Sequence, residues 1–163
     1  MVVKQILYKG KVFSVMLDNK DEGLYNQHVW HLSKQGNFLY VEAWVGNKRI
    51  TLHRLLLGFP MSHTDHKNGN TLDNRRRNLR ECTHAQNQWN RQFSSGRSKY
   101  KGVSWCSSTN KWKVRVKKNR KEYWVGRFDS ETEAAKEYDK KAVELFGSFA
   151  RLNFPCFYFK DIV

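Results

Sequence analysis

Apolar and polar residues alternate strictly over residues 111–117 (KWKVRVK), in the second half of the chain. Because successive side chains of a strand point to opposite faces, this pattern predicts a β-strand with one apolar and one basic face. Residues 122–128 follow a turn at Asn119 and predict a second strand, and residues 100–105 predict a third. A sheet of three short strands with one solvated face needs a cover on its apolar face.

A segment that can form this cover follows the strands. Ser130 and Glu133 have the spacing of a capping box, which predicts the start of a helix. Apolar residues then recur at helical spacing through residues 134–146, and Gly147 marks the end of the run. We therefore expect a three-stranded antiparallel sheet packed on one α-helix in the second half of the chain.

The first half has its own pattern. Its apolar clusters, at residues 12–17 and 38–45, predict a small antiparallel sheet. Residues 62–91 contain many turn formers and then a capping box of Thr83 and Gln86, which predicts strand, loop, strand and helix. The predicted fold class is α+β, with a small antiparallel sheet and a ββα motif at about residues 60–91, followed by the sheet-and-helix half.

The composition indicates a folded protein without a membrane-spanning helix or a disulfide framework. The 163 residues are 39% hydrophobic and 14% aromatic, which suits one ordinary domain or two small ones. No window of about 18 residues is wholly apolar, and the N-terminus has no long apolar run with a cleavage site, so we expect a cytoplasmic protein. Cys82, Cys106 and Cys156 are odd in number and far apart, which argues against disulfides and paired-cysteine zinc sites.

The net charge of +15 is concentrated in one segment. Residues 97–127 hold eleven basic residues and one acidic residue, a net charge of +10. Such a cluster indicates an anionic partner, with nucleic acid as the first candidate and a membrane surface as the second. All six histidines precede the small polar segment 94–98. We therefore expect one domain over residues 1–93, a linker over 94–98 and a second domain over 99–158.

The second half resembles the Apetala-two/ethylene-response-factor (AP2/ERF) domain over roughly residues 98–156. The resemblance rests on YKGV at 100–103, KW at 111–112, YWVGRF at 123–128, EAA at 133–135 and LNFP at 152–155. It implies a sheet that binds double-stranded DNA in the major groove, with Tyr138 near a phosphate. The family usually has an arginine where this chain has Ser104, so a base preference does not carry over. Together, the resemblance and the basic face predict these DNA contacts: Lys101, Lys111, Lys113, Arg115, Lys117, Trp124 and Arg127.

Polar residues of the predicted ββα segment suit phosphodiester hydrolysis. Asp65 and Asn87 each offer an oxygen ligand for a hard divalent cation. His66 has an ordinary pKa near neutrality and can deprotonate an attacking water molecule. An Asp-His pair taken alone is more often a surface pair than a site. The basic residues that could hold backbone phosphates here are Arg75, Arg76, Arg77 and Arg80.

The whole segment 65–90 resembles the HNH endonucleases of phages and mobile introns, which have a ββα-metal motif. The resemblance rests on the string DHxxGNxxDNRxxNLRxxTxxQNxxN. It implies His66 as general base, Asn78 as the residue that fixes the loop carrying His66, and Asn87 and Asp65 as metal ligands. Asparagine at the third motif position implies Mg²⁺ or Mn²⁺, and no structural zinc is expected. Residues expected near the site are Asn74, Asn90, His63 and His84.

These observations lead to the hypothesis of a homing-type DNA endonuclease that nicks one strand per active site, as a monomer or weak dimer. Two alternatives remain open, namely a DNA-binding regulatory protein with a decayed nuclease half and an RNA-binding or RNA-cleaving protein. His53 opens the apolar helical segment 53–59 and is expected to be a packed or capping residue. Phage HNH proteins commonly have a similar His-Arg-Leu segment, which supports that structural role.

Overall fold

Two units make up the chain, Met1–Asn87 and Gln88–Val163, in a computed structural model that describes residues 1–91 and 96–155. The division falls inside a helix, ahead of the predicted linker. Within the described residues, no helix is long and apolar enough to cross a bilayer. Parts of the predicted linker and of the predicted second domain lie outside the described residues, namely 94–95 and 156–158.

The fully described N-terminal unit consists of small antiparallel sheets and short helices. Its strands are β1 (Val2–Tyr8), β2 (Lys11–Leu17), β3 (His31–Gln35), β4 (Phe38–Val45), β5 (Lys48–Thr51), β6 (His63–His66) and β7 (Leu79–Cys82). Its helices are α1 (Glu22–Tyr25), α2 (Leu52–Leu56) and the first part of α3 (His84–Asn90). β1 pairs with β2, β4 lies between β3 and β5, and β6 pairs with β7.

The two apolar clusters of the first half lie in different sheets, whereas the sequence pattern suggested one small sheet. Residues 12–17 belong to β2 and pair with β1, while residues 38–45 form β4. Each of these strands pairs with its neighbour in the chain across a tight turn, at Gly10, Gly36 and Gly46, whose φ angles are 74°, 59° and 56°. Glycine adopts such positive φ angles without strain, so each hairpin closes locally.

One hydrophobic core joins these sheets to α2. Val15 and Leu17 of β2, Ala43 of β4 and Leu52 of α2 have no solvent exposure. Leu79 of β7 packs in the same core. Strand β6, which carries Asp65 and His66, is therefore fixed to the core through its partner strand β7.

The predicted succession of strand, loop, strand and helix over residues 62–91 is confirmed. β6 and β7 pair antiparallel, with Asp65 opposite Arg80. The capping box at the start of α3 has both of its hydrogen bonds: Thr83 N donates to Gln86 Oε1 at 2.8 Å, and Gln86 N donates to Thr83 Oγ1 at 3.2 Å. Two backbone donors at the helix start are thereby satisfied.

The C-terminal unit is a three-stranded antiparallel sheet covered by one long helix, as predicted. Its elements are β8 (Val103–Cys106), β9 (Lys111–Lys118), β10 (Lys121–Phe128) and α4 (Glu131–Phe146), with β9 in the centre of the sheet. Val114 and Val116 of β9 are buried against Ala134, Tyr138 and Ala142 of α4. Because side chains alternate along β9, Lys111, Lys113, Arg115 and Lys117 lie on the opposite face of the sheet.

The ends of α4 and its fit to the sheet follow from single residues. Ser130 Oγ accepts a hydrogen bond from Glu133 N at 3.4 Å, and Gly147 ends the helix with a φ of 54°. Gly102, just before β8, has a φ of 76°, and a Cβ atom there would lie 2.0 Å from the Tyr138 ring. Only glycine lets the chain pass this close to α4.

Candidate active site and basic sheet face

Strand β6 places Asp65 and His66 side by side in the N-terminal unit, and both side chains are buried, with 7% and 5% exposure. Arg80, opposite Asp65 on β7, donates from Nε and Nη2 to Asp65 Oδ2 at 2.9 and 2.7 Å. A buried carboxylate needs a charged partner or a metal ion to offset its lost hydration. Arg80, predicted to hold DNA phosphate, therefore neutralises Asp65 in this structure.

His66 is held by a polar contact to the loop between β6 and β7. Its Nε2 atom lies 3.3 Å from Oδ1 of Asn74, a residue with only 1% exposure. Burial lowers the pKa of His66, while the hydrogen bond to Asn74 and the charges of Asp65 and Asp73 partly oppose this shift. The imidazole is therefore neutral at physiological pH, which is the form that accepts a proton.

Two further rings lie close to His66, and the sequence pattern did not predict either contact. The ring centroid of His53 in α2 lies 5.1 Å from that of His66, with the planes at 67°. The Tyr40 ring of β4 lies 5.7 Å from His53 and 6.5 Å from His66. Burial, followed by the charges of His66 and Arg54, lowers the pKa of His53 to about 3. His53 is thus packed, as expected, but it is packed beside the predicted base.

Asn78 ties down the loop that follows His66. Its Oδ1 accepts from the backbone N of Asn68 at 3.0 Å, and its Nδ2 donates to the backbone oxygen of Asp73 at 2.7 Å. The backbone of Asn78 also accepts a hydrogen bond from Lys67 N at 2.8 Å. These contacts join both ends of the loop, which is the geometry that the loop-fixing role would need.

The arginine run at the end of the loop pairs largely with buried carboxylates. Arg75 donates to both oxygens of Asp73 at 2.7 and 2.6 Å, and the hydrogen bonds from Arg75 are the main reason that the pKa of Asp73 is lowered. Arg76 donates to Asp21 at 2.8 to 3.0 Å. Arg77 is the exposed member of the run.

Helix α3 carries the third predicted motif residue in its middle. Asn87 is partly exposed in this helix, and its backbone N donates to Thr83 O at 3.0 Å. His63 and His84, expected near the site, contact each other with ring centroids 5.5 Å apart. Asn90 is buried and belongs to the C-terminal unit by the division of the chain.

The donor types at the site limit which metal ion it suits. Among residues 1–91 and 96–155, no three His, Cys, Asp or Glu side chains come together as a metal-binding group. Asp65 and Asn87 would offer a carboxylate and an amide oxygen, so the remaining ligands would be water and phosphate. Hard oxygen donors with several waters suit Mg²⁺ or Mn²⁺, and they do not form the closed nitrogen and sulfur set of a structural zinc.

In the C-terminal unit, the sheet face opposite α4 is basic and holds an exposed tryptophan. Trp124 of β10 is 49% exposed and lies opposite Arg115 of β9. The guanidinium carbons of Arg115 and Arg127 lie 5.7 and 5.1 Å from the Trp124 ring, within cation–π distance. Lys113 and Lys117 alternate with the buried valines of β9. Cationic side chains around an exposed aromatic ring form a surface suited to nucleic acid. We call these five residues the basic sheet face.

Three predicted DNA contacts of the C-terminal unit have other partners in the structure. Arg115 donates to Glu122 Oε1 at 3.0 Å, and the other two are lysines. Lys101 Nζ donates to the backbone oxygens of Trp89 and Arg91, the latter at 2.6 Å. Burial is the main reason that the pKa of Lys101 is lowered to about 8. Lys111 pairs with Asp129 at 3.1 Å on the surface, an interaction that solvent screens. Lys101 thus fastens the chain after α3, and Lys111 is only loosely held.

Two family models match the chain. A model described as HNH endonuclease matches residues 63–89, which span β6, the loop, β7 and most of α3. A model described as AP2 domain matches residues 98–148, which span the sheet and α4. Both matches coincide with the resemblances that the sequence motifs indicated.

Two curated proteins are similar to the chain. An uncharacterized HNH endonuclease of Acanthamoeba polyphaga mimivirus is 32% identical over 152 residues, which cover 89% of this chain and 76% of that protein. An ethylene-responsive transcription factor of Arabidopsis thaliana is 41% identical over 58 residues, which cover 34% of this chain and 32% of that protein. The first similarity extends over both units.

Proposed function

The chain belongs to the HNH endonuclease family, and we propose that it is a homing-type DNA endonuclease that nicks one strand at a site selected by its AP2 domain. The observation that carries the proposal is the position of His66, which is buried and held by Asn74 next to Asp65 in a ββα motif. The substrate is double-stranded DNA, and the reaction is hydrolysis of a phosphodiester bond.

His66 acts as the general base. Its lowered pKa keeps the ring neutral at physiological pH, so that it can take a proton from the attacking water molecule. The contact with Asn74 fixes the ring, and Asn78 fixes the loop that follows it. Cleavage leaves 3′-hydroxyl and 5′-phosphate ends.

Asp65 and Asn87 would hold one divalent cation, Mg²⁺ or Mn²⁺, which when bound stabilises negative charge on the leaving oxygen. Arg80 donates two hydrogen bonds to Asp65 Oδ2, and it also neutralises the carboxylate. Exposed Arg77 lies just before Asn78 and can hold a phosphate of the cleaved strand.

The basic sheet face binds the duplex. A three-stranded sheet can lie in the major groove, where its lysines and arginines contact phosphates and its arginines can contact guanine edges. The net charge of +10 over residues 97–127 favours this binding without specifying a sequence. One general base serves one scissile bond, so a monomer cuts one strand in each binding event.

Conversion of supercoiled plasmid to the open circle in the presence of Mg²⁺ tests the proposal. The plasmids should carry fragments of the genomic DNA that surrounds the gene, because the recognition sequence is unknown. His66→Ala should lower the nicking rate at least about a hundredfold, since general-base catalysis contributes about 10²–10⁴-fold. His31→Ala, an exposed histidine on β3, is the matched control and should retain the wild-type rate.

Each contrary outcome points to one alternative. DNA binding without nicking on any fragment would favour a regulatory protein with a decayed nuclease half. Equal nicking by the wild type and His66→Ala would refute the role of His66. Preferential binding or cleavage of RNA in competition with duplex DNA would place the protein among RNA-directed proteins.

A further inference from the structure

His53 is a buried polar residue that packing alone does not require. It is 8% exposed in α2, where its neighbours Leu52 and Leu56 are almost completely buried in the hydrophobic core. A leucine would fill such a position without the cost of burying a polar ring whose hydrogen bonds are incomplete. The polar contact of the His53 ring is long, 3.4 Å between Nε2 and Thr51 Oγ1.

The position of His53 relative to His66 is specific. The two rings are 5.1 Å apart and 67° from parallel, which is an edge-to-face contact. The torsion that turns a histidine ring about its Cβ–Cγ bond has a broad energy profile, so the neighbours decide the orientation of the ring. Asn74 holds His66 by one ring nitrogen, and the His53 ring limits its rotation from another side.

The helix that carries His53 is tied to the strand that carries His66. Arg54 donates to the backbone oxygens of Pro60 and Ser62 at 2.6 and 3.3 Å, in the connection between α2 and β6. Tyr40 contacts both histidine rings from β4. His53 therefore has a fixed place relative to β6. Burial keeps its pKa at about 3, so it stays neutral at physiological pH.

We propose that His53 is a positioning residue, whose ring holds the imidazole of His66 in the orientation needed to take a proton from water. The inference rests on the proposed nuclease function, and it assigns to His53 a role beyond packing. It concerns the ring of His53 and not a hydrogen bond, because the ring contact is the interaction that reaches His66.

Three variants separate positioning from packing. His53→Leu removes the ring and keeps an apolar side chain, and it should lower kcat about ten- to a hundredfold, as small misplacements of a catalytic group do, with KM within about twofold. His53→Phe keeps a ring and should retain kcat within about threefold of the wild type. His28→Leu removes a partly exposed histidine that contacts Trp30, and it is the matched control with unchanged kcat and KM.

A spectroscopic measurement on the DNA-free, full-length protein complements the kinetics. The ring ¹H–¹³Cε1 signal of His66, assigned by its loss in His66→Gln, should shift or broaden in His53→Leu and return towards the wild-type position in His53→Phe. The kinetic substrate is the plasmid nicked by the wild type with Mg²⁺. If His53→Leu does not fold, His53→Met takes its place as the variant without a ring.

The results distinguish failure of this inference from failure of the proposed function. A wild type that nicks DNA, together with a folded His53→Leu of unchanged kcat, would overturn the positioning role. So would a His53→Phe variant as slow as His53→Leu. If the wild type shows no nuclease activity, the proposed function fails, and an unaltered His66 signal in His53→Leu would then refute the positioning on its own.

Discussion

Acid should destabilise the N-terminal unit because its two buried histidines resist protonation in the folded state. The pKa of His53 is lowered from 6.5 to about 3, mainly by burial. Between these two values only the unfolded chain binds the proton, so the free energy of unfolding falls as the pH falls. The folded state keeps its full stability above about pH 6.5, where His53 is neutral in both states, and loses stability as the pH falls towards 3. The lowered pKa of His66 acts in the same direction.

The magnitude follows from one proton per histidine. Each pH unit inside this window changes the free energy of unfolding by about 1.4 kcal/mol for each proton taken up. Lowering the pH from about 6.5 to about 5 should therefore cost about 2 kcal/mol through His53 alone. Over the same pH interval, the free energy of unfolding of His53→Leu should fall by about 2 kcal/mol less than that of the wild type. This difference does not depend on the stability of the variant at neutral pH.

Hydrogen exchange measured peptide by peptide by mass spectrometry resolves the two units in the full-length protein. Peptides from β4 and α2 should lose protection in acid in the wild type, and less so in His53→Leu. His31→Leu is the matched control, since it removes an exposed histidine. The C-terminal unit contains no histidine, and the pKa of its buried Asp139 is raised, so acid favours its folded form. Equal acid sensitivity of the wild type and His53→Leu would refute the reasoning.

Four further predictions concern the site, the sheet and the metal ion. Arg80→Ala removes the guanidinium that pairs with the buried carboxylate of Asp65 and should cost about 3–5 kcal/mol, measured by urea unfolding at pH 7. Gly102→Ala forces a Cβ atom into the Tyr138 ring at a positive φ and should destabilise the C-terminal unit by more than about 1 kcal/mol, seen as a lower Tm. Trp124→Ala should weaken DNA binding by about 1–3 kcal/mol in fluorescence anisotropy while the Tm stays unchanged. A chelator should abolish plasmid nicking and leave DNA binding in place, and Mg²⁺ or Mn²⁺ should restore nicking; nicking that persists in the chelator would contradict the one-metal mechanism.

The elements that the sequence predicted correctly have local signals. The capping boxes at Thr83 and Ser130 use residues three positions apart, and both helices begin where these boxes predict. The alternation over residues 111–117 predicted β9 and its two faces, because side-chain direction in a strand depends only on position. These features can be predicted from the sequence because each depends only on residues that are a few positions apart.

The partners of charged residues had no such signal. Arg76 binds Asp21, which lies 55 positions earlier in the chain. Nothing in the run of arginines showed that Arg75, Arg76 and Arg80 would be used to neutralise buried aspartates rather than phosphates. A charge run has the same appearance in sequence whether it faces solvent, DNA or a buried carboxylate, and only the fold decides between these.

The surroundings of His66 show the same limit in the candidate site. Motif spacing predicts Asp65, His66, Asn78 and Asn87 as site residues, because all four lie within one short segment of strand, loop, strand and helix. His53 lies outside the motif, in an apolar helical segment where a packed residue was the natural expectation. That expectation is correct for burial, yet it does not reveal which residue the ring packs against. The contact between His53 and His66 depends on how α2 meets β6, so the structure was needed to connect a packing residue with the candidate base.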